Sequence, residues 1–136
     1  GKVFLSVREA DKDQLPEIAR GLLDLGFGLV ATRGSAATIE AAGMTVETIN
    51  KVQEGRPDVT DMLKNREVDF IINTTEGKQA IADSFVIRRT ALQQKVCYTT
   101  TMAGGRASIA ALRHGEDNSV HRLQDLLARD SIRVKE

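Results

Sequence analysis

Thr32-Arg33-Gly34-Ser35 is the segment of this sequence best suited to chemistry, and the chemistry it suits is holding an anion. It joins an apolar run, Gly28 to Thr32, to a helical stretch expected from Ala36 to Ala42. The first amides of a helix have no intrahelical partner. Together with the positive end of the helix dipole they make a site for phosphate. Gly34 lets the backbone approach an anion, and Thr32 and Ser35 add hydroxyls. The plainer alternative is that Ser35 only caps its helix. Lys12 and Lys51 follow neighbouring strand ends and bring positive charge towards the same place. The segment is not a P-loop, because neither GxxxxGKS nor GxxxxGKT occurs.

Other strand ends carry similar groups. The first delivers Ser6, the third Asn50-Lys51, the fourth Asn73-Thr74-Thr75-Glu76-Gly77-Lys78 and the fifth Thr99-Thr100-Thr101. Hydroxyls, amides and lysines are the groups that bind phosphate oxygens. Acid–base machinery is thin by comparison. Glu9, Asp11, Glu54 and Glu76 lie in expected loops near the pocket, where carboxylates are ordinarily solvated. His114 and His121 fall in the C-terminal helical region, away from the strand ends, and read as surface residues. No histidine pair or cysteine cluster has metal-ligand spacing, so neither a catalytic residue nor a metal site is assigned. Arg88 and Arg89 read as a solvated helix face, and Tyr98 with the turn Met102-Ala103-Gly104-Gly105 as structural.

The elements that must position these groups alternate along the chain. Val3 to Val7 is an apolar run suited to a strand buried on both faces. Asp11 is a fair N-cap for a helix in which Leu15, Ile18, Ala19, Leu22, Leu23 and Leu25 recur at helical spacing until Gly26. Further strands are expected at Gly28–Thr32, Val46–Ile49, Val68–Asn73 and Val96–Thr100, the fourth lying centrally. Helices are expected at Ala36–Ala42, Asp58–Arg66, Ser84–Gln94, Met102–Arg113 and Val120–Ala128. Five strands alternating with helices predict an α/β fold: a three-layer Rossmann-like sandwich with a five-stranded parallel sheet flanked by helices. In such sheets ligands bind beyond the carboxyl ends of the strands.

Composition bounds the function. With 136 residues, 41% hydrophobic and 28% charged, the chain reads as one globular domain spanning residues 1–136, with a polar tail, 129–136, expected to fray. Nineteen basic residues balance nineteen acidic ones, which argues against a nucleic-acid partner. Aromatics at 4% without tryptophan leave no stacking platform for single strands. The lone Cys97, inside an apolar run, reads as a packed thiol and points to a reducing, cytoplasmic setting. No run reaches the roughly 20 apolar residues of a membrane span, and no signal peptide opens the sequence. Gly1 stands directly before a core strand, so the chain is expected to be excised from a longer polypeptide.

Several stretches together carry a resemblance. They are Leu5-Ser6-Val7-Arg8-Glu9-Ala10-Asp11-Lys12, Ala31-Thr32-Arg33-Gly34-Ser35-Ala36, Asn50-Lys51-Val52-Gln53-Glu54-Gly55-Arg56-Pro57 and Ile72-Asn73-Thr74-Thr75-Glu76-Gly77. Asp83-Ser84-Phe85-Val86-Ile87-Arg88-Arg89 and Tyr98-Thr99-Thr100-Thr101 follow in order. From about Lys2 to Leu112 the chain resembles the methylglyoxal-synthase-like domain that ends the large subunit of carbamoyl phosphate synthase. The resemblance implies an allosteric domain that does no chemistry and needs no cofactor itself. In the whole enzyme it implies ATP with Mg or Mn in the synthetase domains, a glutaminase small subunit as partner, and carbamoyl phosphate made for pyrimidine and arginine biosynthesis. It implies UMP as inhibitor and IMP as activator, both anchored by phosphate, and ornithine as a further activator at the junction with the rest of the large subunit. Ser6, Lys12, Thr32, Gly34, Ser35 and Lys51 would hold the phosphate; Asn73, Thr74, Thr75 and Lys78 would line the ribose and base; Thr100 would face ornithine. The family usually has threonine at Ser35, and many members have aspartate at Thr99 and arginine at Lys78. A lysine cannot form the bidentate fork of an arginine, which bears on nucleotide preference. Methylglyoxal synthase and the IMP cyclohydrolase half of the bifunctional purine enzyme share this fold and are the alternatives. The first would need a GGDQQ-like stretch with an aspartate–histidine pair, the second a GRVKTLHP-like block. Neither block is present.

Overall fold

Val3-Phe4-Leu5 and Phe70-Ile71-Ile72 are apolar at every position, and strands of that kind need cover on both faces. The computed structural model, which describes residues 1–51, 55, 57–74 and 78–114 (the side chains of 78–80 and 114 excepted), provides it. Strands β1 (Lys2–Ser6), β2 (Gly28–Ala31), β3 (Glu47–Thr48), β4 (Phe70–Asn73) and β5 (Cys97–Thr99) form one sheet in the order β3-β2-β1-β4-β5. Every pairing is parallel, with Leu5 opposite both Ala31 and Ile72 in register. The Rossmann-like sandwich read from the alternation is therefore the fold, with β1 at its centre and β4 beside it.

Side chains alternate across a strand, so each strand feeds two cores. Val3, Leu5, Phe70 and Ile72 point to one face and pack with Leu15, Ile18 and Leu22 of α1 (Leu15–Asp24), Ile39 of α2 (Arg33–Ala41) and Ile109 of α5 (Met102–His114). Phe4, Val30 and Ile71 point to the other face, against Met62 and Leu63 of α3 (Val59–Lys64) and Ile87 and Ala91 of α4 (Lys78–Gln93). Buried Cys97 packs in the first of these cores, as a packed thiol should. Among the described residues no helix is long and apolar enough to cross a membrane.

Several boundaries differ from those expected. Asp11 is not a helix N-cap. It sits buried inside a 3-10 helix, Glu9–Gln14, because its carboxylate is taken by the Arg8 guanidinium at 2.8 Å. Helix α2 starts at Arg33 rather than Ala36, so Gly34 and Ser35 lie in its first turn instead of in a preceding loop. Helix α4 starts at Lys78 rather than Ser84, whereas α5 starts at Met102 as expected and takes Met102 to Gly105 as its first turn. Helix α3 keeps its expected start: Asp58 Oδ1 accepts from the Thr60 N–H at 2.8 Å and the Asp58 N–H donates to Asp61 Oδ2 at 3.0 Å, a reciprocal capping box. The helix expected at Val120–Ala128, the tail from Arg129 to Glu136, and Thr75, Glu54, Glu76 and His121 lie outside the described residues.

Candidate functional site

In the order β3-β2-β1-β4-β5 the chain leaves β1 towards one edge and returns for β4 on the other side. The carboxyl ends of β1 and β4 therefore flank the crevice where open parallel sheets take ligands. A cavity of about 320 Å³ opens there. Its size falls at the small end of the range for ligand sites, about 300–1,000 Å³.

Three strands build its floor. Thr32 follows β2, Ser6 ends β1 and Asn73 ends β4, and all three line the cavity. Thr32 is the N-cap residue of α2, with extended backbone (φ −66°, ψ 160°), yet its side chain makes no capping bond. Its hydroxyl donates instead to Ser6 Oγ at 3.3 Å. The first intrahelical bond runs from the Ala36 N–H to the Thr32 carbonyl at 2.7 Å, so the amides of Arg33, Gly34 and Ser35 are the orphan donors of the helix start. Ser35 is the third helical residue and does not cap its helix. Buried at the cavity wall, its Oγ accepts the Val7 N–H at 3.0 Å and ties the helix to the end of β1.

Positive charge stands directly over this helix start. A Cβ placed on Gly34 would lie 3.0 Å from Lys12 Nζ, so the amine rests against the glycine backbone. Lys12 is bridged to Glu9 at 2.7 Å, and Glu9, which also lines the cavity, is 82% exposed. Lys51 reaches the rim from beyond β3, on a segment closed by a bridge between Asn50 and Asp58. An anion entering here meets backbone N–H groups, hydroxyls and at least one ammonium in one corner.

The carboxyl end of β4 contributes further polar groups. Asn73 Nδ2 donates to the Tyr98 hydroxyl at 2.9 Å and to Ser84 Oγ at 3.1 Å. Burial pushes the Tyr98 hydroxyl above its ordinary pKa of 10.0, although its bonds to Asn73 and Ser84 and the charge of Arg88 pull the other way. Thr74 Oγ1 accepts the Arg8 N–H at 2.9 Å and thereby joins the loop after β4 to the loop after β1.

The structure thus brings Ser6, Lys12, Thr32, Gly34, Ser35, Lys51, Asn73 and Thr74 to one cavity. Lys78 opens α4, and Thr75 lies outside the described residues. Thr100 borders a second cleft of about 500 Å³, lined also by Asp11, Gln14 and Arg106, which shares Arg8 and Thr74 with the first. Arg8 and Asp83 also line the first cavity and carry no sequence-derived role. Asp83 falls in the loop expected before Ser84, whereas α4 runs through it.

The parallel five-stranded sheet agrees with a match of the sequence to the MGS-like domain family. The model of that family matches residues 14–100, and the chain belongs to it. Over 94% of its length the chain is 59% identical to part of the carbamoyl phosphate synthase large chain of Pseudomonas aeruginosa. It is also 48% identical, over 93% of its length, to part of the same protein from Xanthomonas axonopodis pv. citri. The chain spans 12% of the length of each of these relatives. In fold it is similar to methylglyoxal synthase from Elizabethkingia anophelis (TM-score 0.64, 17% identity, 80% of this chain and 77% of that one). It is likewise similar to ForH (TM-score 0.66, 17% identity, 99% and 93%).

Proposed function

We propose that the chain is the regulatory, C-terminal domain of a carbamoyl phosphate synthase large subunit and binds nucleoside monophosphates at the cavity between β1, β2 and β4. One observation carries the reading: the uncapped start of α2 with Lys12 Nζ resting against Gly34. Backbone N–H groups at a helix start, assisted by a lysine, suit a phosphate dianion. The phosphate would sit on Thr32, Gly34 and Ser35 with Ser6, Lys12 and Lys51 around it. The ribose and base would extend over Asn73 and Thr74 towards Thr75 and Lys78. UMP would inhibit and IMP would activate. Ornithine would occupy the second cleft, at Thr100, where the domain meets the rest of the large subunit.

The domain itself would do no chemistry. ATP and Mg or Mn would serve the synthetase domains of the whole cytoplasmic enzyme, whose other partner is a glutaminase small subunit and whose carbamoyl phosphate feeds pyrimidine and arginine biosynthesis. Regulation requires an effector to bind one arrangement of this domain against its neighbours more tightly than another, since equal affinity shifts nothing. The strong similarity to carbamoyl phosphate synthase large chains favours this reading over a free-standing enzyme of the same fold.

A calorimetric titration tests it. UMP, IMP, ornithine, dihydroxyacetone phosphate and inorganic phosphate are each added to the chain. UMP or IMP binding more tightly than phosphate is the expected result. Tightest binding of dihydroxyacetone phosphate, with its conversion to methylglyoxal, would replace the regulatory reading with an enzymatic one.

A further inference from the structure

Two peptide N–H groups in the loop after β1 are held by hydroxyls from opposite sides. The Val7 N–H donates to Ser35 Oγ on α2 at 3.0 Å, and the Arg8 N–H donates to Thr74 Oγ1 after β4 at 2.9 Å. A backbone N–H can only donate, so the sense of both bonds is fixed. The stretch Val7-Arg8 is therefore pinned between the start of α2 and the end of β4.

Arg8 and Thr74 are also where the two cavities meet. Both line the cavity of about 320 Å³ at the α2 start and the cleft of about 500 Å³ beside the start of α5. The Arg8 side chain, 46% exposed, gives its Nε–H to Asp11 Oδ2 at 2.8 Å; Asp11 lines the second cleft with only 13% of its side chain exposed. One short strap thus touches Ser35 in the first cavity at one end and Asp11 in the second at the other.

The two helix starts differ. At α2 the side chain of the N-cap residue Thr32 makes no capping bond, whereas at α5 Thr101 Oγ1 accepts the Gly104 N–H at 2.9 Å. The corner suited to an anion is therefore in the first cavity, and any effect of that anion on the second cleft has to be transmitted. Ser35 supplies the first link. A hydroxyl that accepts a bond keeps its own proton to donate. A phosphate on α2 would take that proton in a bond, and hydrogen bonds in a chain polarise one another, so the bond from Val7 would respond. Val7 and Arg8 share a peptide unit, and the pair of Arg8 with Asp11 would carry the displacement into the second cleft.

We propose that the strap Val7-Arg8, with Asp11, couples the two cavities, so that an anion bound at the α2 start alters the second cleft. This rests on the anion placement in the reading above and adds how that site is felt outside itself. By linkage, a ligand in the second cleft changes anion affinity in the first by the same factor. Arg8 and Asp11 act as positioning residues, and neither is among the groups placed on the phosphate.

The test is backbone-amide NMR of the chain during titration with inorganic phosphate and with UMP. The amides of Gly34 and Ser35 report on the first cavity, and those of Thr101 and Ala103 on the second. Both sets should shift along one binding curve. Arg8→Met keeps the side-chain stem and the backbone bond to Thr74, and Asp11→Asn keeps the shape of the acid. In both variants the shifts at Thr101 and Ala103 should be halved or lost, while those at Gly34 and Ser35 persist. Shifts at Thr101 and Ala103 that persist in full in both variants overturn the proposal, as do shifts there that follow a separate, weaker curve. Shifts confined to Gly34 and Ser35 in the unaltered chain also overturn it, and leave the anion reading standing. No shift at Gly34 or Ser35 with either ligand overturns that reading, and the proposal with it. Asp11→Asn carries the comparison if Arg8→Met does not fold.

Discussion

Replacing Gly34 with alanine should move stability and binding in opposite directions. Gly34 is the second residue of α2, and its φ is not among the positive ones, which among the described glycines are those of Gly26, Gly43 and Gly55. Alanine can therefore adopt the backbone without strain. The atoms that its methyl would meet within 4 Å belong to the end of the Lys12 side chain: Nζ at 3.0 Å and Cε at 3.8 Å. A lysine tip swings aside easily, so the fold should tolerate the change. Alanine in place of glycine at a compatible helical site stabilises by about 0.4–1 kcal/mol, chiefly by restricting the unfolded chain. Binding should suffer, because the methyl occupies the space between the ammonium and the helix amides where the phosphate is placed. Losing one charge-assisted contact costs about 1.5–3 kcal/mol, or about 10- to 150-fold in affinity. Urea denaturation and calorimetry with UMP and with inorganic phosphate measure the two effects on one sample. Unchanged affinity for both ligands would show that no anion sits on this turn. A loss of stability above about 1 kcal/mol, well outside the expected gain, would show that the glycine is required by packing.

Glu9→Gln should tighten phosphate and nucleotide binding by about 1.5- to 5-fold, because an exposed pair of this kind is worth about 0.2–1 kcal/mol and its carboxylate competes with the ligand for Lys12; calorimetry that shows weaker binding would contradict the placement. Asp58→Ala removes the side-chain cap of α3 and should cost about 1–2 kcal/mol in urea unfolding. Tyr98 is the chain's sole tyrosine, and its folded pKa lies above the 10.0 of the unfolded chain. Its contribution is therefore complete below pH 10 and is lost as pH rises towards the folded pKa, since the unfolded phenol ionises first. Between pH 8 and pH 11 the urea midpoint of the chain should fall more steeply than that of Tyr98→Phe; parallel curves would refute the burial of the hydroxyl.

How far the sequence discloses this molecule depends on whether a local pattern or a distant partner decides each feature. Strands β1 and β4 are legible because a strand buried on both faces must be apolar throughout, and Val3-Phe4-Leu5 and Phe70-Ile71-Ile72 are. The edge strand β3 is a poorer case. Four residues suit it, but Glu47 and Thr48 alone pair, both exposed, against Val30 and Ala31. Helix α2 begins three residues before the expected Ala36, although glycine and serine are weak helix formers. What holds the extra turn is remote from it: Val7, 28 residues away, uses Ser35 Oγ as the acceptor for its N–H. Helix α4 begins six residues before the expected Ser84, and Lys78-Gln79-Ala80 are good helix formers that continue into it.

The site divides along the same line. The proposed phosphate corner lies at one strand-to-helix junction and could be read locally. The polarity at the end of β4 could not, because Asn73, Ser84 and Tyr98 meet only when β4, α4 and β5 are assembled, and an asparagine in sequence is equally a donor and an acceptor. Its partners are hydroxyls 11 and 25 residues away that accept its N–H groups. The proposed anion corner thus rests on a short stretch of chain, whereas the polar groups at the end of β4 come together only in the folded sheet.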